Sequence, residues 1–70
     1  MSESVYKVIE LVGTSTEGWE EAAAAAVKKA ARSLRDLRIA EVGELDMVLG
    51  EDGTVIAYRA KVKVSFKFQS

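Results

Sequence analysis

Glu44 and Asp46 stand two residues apart in Ile39–Leu49, a segment rich in β-formers. That spacing sends both carboxylates from the same face of a strand. Converging carboxylates are the start of a hard-cation site, because Ca²⁺ takes about six to eight oxygen ligands. The competing account lies within the chain: Lys61 and Arg59 would stand opposite and neutralise them. Arg59 is itself a candidate. Its planar donor fork can bind phosphate or stack on a ring, or it can pair with Asp46 across the sheet. Thr14, Ser15 and Thr16 carry hydroxyls, but the chain has no His to activate them, so capping of a helix is their expected role. Gly13 ahead of a helix start resembles an anion site. Without a glycine-rich loop, however, a plain turn is expected there. Trp19 could stack on a ligand, but its place on an apolar helix stripe assigns it to the core. Glu51 and Asp52 are acidic too, although the Asp52-Gly53 turn already accounts for Asp52. No EF-hand loop is present.

Composition narrows the function. Without His the usual general base and the commonest transition-metal ligand are missing, and without Cys there is neither disulfide nor thiolate site. These absences argue against an enzyme, and the lack of Cys fits a reducing, cytoplasmic setting. A net charge of -1 provides no basic field for nucleic acid. No apolar run is long enough to span a membrane, and the N-terminus lacks the regions of a signal peptide. Residues 1–70 are expected to form one domain. A domain this small buries little surface and needs support from disulfides, metal or self-association.

The stretch that must position these residues is Val55–Phe68. Its even positions (Ile56, Tyr58, Ala60, Val62, Val64, Phe66, Phe68) are all apolar, and Arg59, Lys61, Lys63, Ser65 and Lys67 are all polar. This alternation predicts a strand with one buried face. Ile39–Leu49 predicts its hairpin partner, joined through Glu51-Asp52-Gly53-Thr54. Asp-Gly suits a type I′ turn with both central residues at positive φ. That turn would pair Leu49 with Ile56, Met47 with Tyr58, Leu45 with Ala60 and Gly43 with Val62. On the other face it would pair Val48 with Ala57, Asp46 with Arg59 and Glu44 with Lys61. In this register Ile39 and Arg59 fall on opposite faces, so one pocket could hold both only through a bulge or two subunits.

Val5–Val12 predicts a further strand, apolar on both sides and so covered on both, which Gly13–Gly18 breaks. A helix is expected from about Thr16 to Leu37, capped by Ser15 or Thr16. Glu17, Glu20 and Glu21 would lie at its positive end. Trp19, Ala22, Ala23, Ala26, Val27, Ala30, Leu34 and Leu37 form its apolar stripe. The fold class is therefore α+β: β-α-β-β, with a three-stranded antiparallel sheet in the order 1-3-2 wrapped around one helix. The last strand would extend roughly 45 Å, whereas a compact chain of this length has a radius of gyration of about 11 Å. The strand must curve strongly or reach another subunit, so assembly is expected.

VYKVIELVGTSTEGWEEAAAAAV, LRDLRIAEV and YRAKVKVSFKF, in that order, resemble the dodecin family over nearly the whole chain. The Val-Gly-Thr-Ser segment and the Lys-Val-Ser-Phe ending carry most of the likeness. The resemblance implies a β-α-β-β fold, twelve copies forming a hollow shell, and storage of flavin (FMN, riboflavin or FAD) in stacked pairs between subunits, without catalysis. Its pattern has Trp two places before the Glu-Val pair, to stack on the flavin ring; here that place is Ile39. It has Gln after the last strand's Tyr, to hydrogen-bond the ring edge; here that place is Arg59. Losing the aromatic wall removes about 0.5–1.5 kcal/mol of stacking beyond area burial. The Ile-Ala-Glu-Val and Tyr-Arg variants are similar to a branch for which calcium binding is described. For that ion Glu44 and Asp46 are the candidates, with Glu17 a third near a symmetry axis. The remaining reading is a purely structural assembly in which Asp46–Arg59 and Glu44–Lys61 are only salt bridges.

Overall fold

A computed structural model describes residues 3–68. Strand β1 (Tyr6–Ser15) leads to helix α1 (Trp19–Ser33), then to strands β2 (Leu37–Leu49) and β3 (Val55–Lys67). The sheet is antiparallel with β3 in the centre, in the order β1-β3-β2. The expected fold class is the observed one.

The core lies where α1 crosses β1 and β3. Ala22 and Ala26 of the helix meet Ala60, Val62 and Val64 of β3, with Ile9, Leu11, Ala23, Val27 and Leu37 packed around them. The alanine run serves close approach. One point of close contact is Gly13, where an added Cβ would lie 1.9 Å from the Ala22 carbonyl oxygen. Gly13 therefore does not break the first strand. β1 continues through it to Ser15, and Gly13, Thr14 and Ser15 pair with Ala60, Arg59 and Tyr58. The glycine is there because the helix backbone occupies the space of a side chain.

The helix is shorter than its sequence pattern. It starts at Trp19, with Gly18 at the N-cap and no side-chain cap. The Ser15 hydroxyl instead accepts the Glu17 N–H at 2.9 Å, a local turn that competes with capping. At the other end Leu34 is already extended, and its N–H closes on the Ala30 carbonyl. Asp36 takes a left-handed φ of 59°, one of the few non-glycine residues suited to it. Leu34 thus lies in the connection and Leu37 in β2. Trp19 also departs from expectation. It is 36% exposed and lies outside the buried cluster.

The β2–β3 register agrees with expectation from Glu44–Lys61 to Val48–Ala57 and shifts on either side. Leu49 faces Val55 and Val42 faces Val62, with Gly43 left over in a bulge. The tip is not a type I′ turn, because only Gly53 of the Asp-Gly pair has positive φ, 86°. Gly53 N–H closes on the Gly50 carbonyl and Gly50 N–H on the Thr54 carbonyl.

The molecule measures 57 × 20 × 15 Å, with a radius of gyration of 14.6 Å. The 13-residue strands β2 and β3 extend past the ends of the shorter helix. Ile56, near the start of β3, and Phe68, just past its end, are exposed accordingly. The far side of β1, with Tyr6, Val8 and Val12, is uncovered within one chain. So is the helix-side face of β2 at Val42, Leu45 and Met47.

Candidate functional site

The polar positions of β3 form the middle row of the sheet face turned away from α1. Arg59 faces Asp46, Lys61 faces Glu44, and Lys63 lies between Glu41 and Glu10. Strand alternation puts these groups on one side, and antiparallel pairing puts opposite charges abreast.

Arg59 and Asp46 form a two-pronged pair. Nε donates to Oδ1 and Nη2 to Oδ2, each at 2.7 Å. The guanidinium holds the Asp46 carboxyl below its ordinary range, chiefly through these hydrogen bonds, and the carboxylate raises Arg59 in turn. Lys61 Nζ reaches Glu44 Oε1 at 3.0 Å, and this contact raises the lysine. Both pairs remain well exposed, which screens their attraction. The planar fork of Arg59 is thus directed along the sheet to Asp46.

The backbone of the same Asp46 holds the start of the helix. Trp19 Nε1 donates to the Asp46 carbonyl at 3.0 Å, and the indole meets the Tyr58 ring edge-on, 5.2 Å between centroids. Glu17, two residues before Trp19, is exposed in the loop ahead of α1. Among the described residues no three acidic, His or Cys side chains gather at one point. A single chain therefore offers a cation at most separate carboxylates, two of them engaged by Arg59 and Lys61.

Ile39 is 68% exposed and faces Ser65. Its N–H donates to Ser65 Oγ, and that hydroxyl donates to the Ile39 carbonyl. With Tyr6, Arg38 and Ser65 it lines a shallow groove of about 500 Å³. The bulge at Gly43 shifts the parity of β2, so Ile39 shares the face of Arg59. The two positions still lie about 20 Å apart along the strands, six residues at ~3.3 Å each. They can meet around one ligand only if different copies supply them. Sequence reasoning missed Ser65 as the partner of Ile39. A glycine inside a strand signals a bulge, and counting one at Gly43 would have found it.

No helix among the described residues is long and apolar enough to cross a membrane. Comparison with known proteins places this geometry in a family. The dodecin family's sequence profile matches residues 5–69. The calcium dodecin of Mycobacterium tuberculosis is 52% identical over 66 residues, covering 94% of this chain and 92% of that protein. The dodecin of Thermus thermophilus is 45% identical over 65 residues, 93% of each. Among solved structures, that of the M. tuberculosis calcium dodecin, described as having a novel calcium-binding site, aligns at 50% identity with a TM-score of 0.83. It covers 94% of this chain and 93% of its own. The Streptomyces coelicolor dodecin aligns at 36% identity with a TM-score of 0.91, covering 100% and 99%. The β-α-β-β order, the central β3 and these matches along the chain agree: it belongs to the dodecin family.

Proposed function

We propose that this protein is a non-enzymatic homododecamer of the cytoplasm that holds small ligands or ions at sites shared between subunits, and that calcium suits it better than flavin. The observation that carries the assembly is the shape of the chain. It is 57 Å long, and among the described residues its buried apolar side chains are only Ala22, Ala26, Ala30, Ala60, Val62 and Val64. Val8, Val12, Ile39, Val42, Leu45 and Met47 remain exposed on its two faces. Self-association is the economical way to cover them.

The flavin positions fit FMN, riboflavin or FAD poorly. Ile39 offers an aliphatic edge where the family likeness implies an indole. The donor fork of Arg59 is committed to Asp46. Calcium is supported by the likeness to the M. tuberculosis calcium dodecin and by the carboxylates of Glu44, Asp46 and Glu17. Glu44 and Asp46 would have to loosen from Lys61 and Arg59 to take an ion, and copies around an axis would have to complete the shell of oxygens.

Sedimentation velocity tests the assembly; a monomer refutes it. Calorimetry of chelator-treated protein should show Ca²⁺ binding that Glu44→Gln with Asp46→Asn abolishes. Flavin fluorescence should stay unquenched at micromolar protein. Strong quenching without Ca²⁺ heat would reverse the ligand assignment, and neither signal would leave a purely structural shell.

A further inference from the structure

The hairpin tip between β2 and β3 joins Asp52 directly to Gly53, both exposed. Nothing lies within 4 Å of the place where a side chain on Gly53 would stand. An aspartate followed by an unhindered glycine can cyclise. The Gly53 amide nitrogen attacks the Asp52 Cγ and forms a new N–C bond. A carboxyl oxygen departs as water, taking the amide proton and the acid proton, and leaves a succinimide. Solvent water then opens either carbonyl, regenerating aspartate or giving isoaspartate, in which the main chain runs through the former side chain.

The tip opposes each requirement of this reaction. The reactive electrophile is the neutral acid, but Asp52 Oδ1 accepts from Thr54 Oγ1 at 2.7 Å and from Thr54 N–H at 3.1 Å. These bonds stabilise the charged form and lower its pKa. They also turn the carboxylate over the turn, so that Oδ1 stands 3.3 Å from the place of a Cβ on Gly50. The nucleophile is held as well, because Gly53 N–H donates to the Gly50 carbonyl at 3.0 Å. Thr54 supplies both bonds to the carboxylate.

We infer that Asp52-Gly53 is a site of spontaneous aspartate isomerisation in this chain, and that Thr54 is the residue that restrains it in the folded hairpin. Isomerisation adds a main-chain atom at the tip, so it disrupts the Gly50–Thr54 closure that sets the β2–β3 register. The site therefore couples chemical ageing to the face that carries Asp46 and Arg59.

The test incubates the full-length protein at mildly acidic and neutral pH and measures isoaspartate by enzymatic methylation and peptide mapping. Wild type, Thr54→Ser and Thr54→Val are compared, with circular dichroism confirming the fold. The urea-unfolded wild type serves as the unrestrained reference. Folded wild type should be at least several-fold slower than the unfolded chain. Thr54→Val, which lacks the hydroxyl donor, should be several-fold faster than folded wild type, and Thr54→Ser should stay near it. If Thr54→Val matches wild type while folded, the role of Thr54 is overturned. If folded and unfolded wild type react at the same rate, restraint by the fold is overturned, and that comparison holds even where Thr54→Val fails to fold.

Discussion

Gly13→Ala is the most revealing perturbation of this fold. The added methyl would lie 1.9 Å from the Ala22 carbonyl oxygen, 3.0 Å from its carbon and 3.1 Å from the Ala26 Cβ. The oxygen belongs to helix backbone and cannot rotate away. Either α1 or β1 must retreat by about 1 Å before the contact becomes tolerable. A gap of that size forfeits about a quarter to a half of the dispersion attraction between facing atoms. Here those atoms belong to Ala22, Ala26, Ala60, Val62 and Val64. Overpacking ordinarily costs about 1–3 kcal/mol, and a backbone clash belongs at the top of that range. Gly13 is not at positive φ, so alanine recovers up to about 1 kcal/mol by restricting the unfolded chain. The net loss is then about 2 kcal/mol, against a total of roughly 3.5–10 kcal/mol for a domain of this size. Thermal unfolding followed by circular dichroism should show Tm lower by about 8–16 °C. Protomer concentration must be held fixed, because association shifts the apparent Tm. Gly43→Ala is the control. Its added methyl meets only the Lys61 carbonyl oxygen, at 3.8 Å, so the variant should lose no stability and should gain up to about 1 kcal/mol from the same restriction of the unfolded chain. A Gly13→Ala protein that melts with wild type would refute the account of how α1 packs on β1.

The remaining predictions concern the charged face and its ligand. Asp46 has its folded pKa below the ordinary 3.8, so its stabilisation is complete above about that pH and is lost as pH falls through the lowered value. Lys61 is raised above 10.5, so its contribution is complete below that value and is lost as pH rises through the folded one. Urea midpoints measured across both ranges should fall at the two ends, and Asp46→Asn should flatten the acid side while leaving the Asp52 contribution. Trp19→Phe removes the N–H donor to the Asp46 carbonyl and should cost about 1 kcal/mol, read from a urea melt by circular dichroism. Ile39→Trp with Arg59→Gln restores the aromatic wall and the neutral ring-edge donor that the family likeness implies. This double variant should quench flavin fluorescence where the parent does not; no quenching would mean that other residues exclude flavin.

Local patterning was enough to read the strand order, the central position of β3 and the pairing of Glu44 with Lys61 and Asp46 with Arg59. Alternation at period two and an acidic-glycine turn depend on near neighbours, and cross-strand charge follows once register is known. The excess length of Val55–Phe68 was equally legible, because strand rise and compact size are both fixed by chain geometry. The ends of α1 were not. Its apolar stripe continues through Leu34 and Leu37, but Asp36 turns the chain into β2, and a periodic pattern does not register a single left-handed residue. Nor was the role of Gly13. A glycine between Val12 and Thr14 has the local signature of a turn, and only the helix lying over it makes it a strand residue without room for a methyl. The relation of Ile39 to Arg59 was decided in the same way. Simple alternation puts them on opposite faces, and the bulge at Gly43 brings them to one. The sequence by itself determined which residues bear charge and in what order the strands pair. The tertiary structure decided which of them share a face and which backbones touch, because bulges and close contacts depend on neighbours distant along the chain.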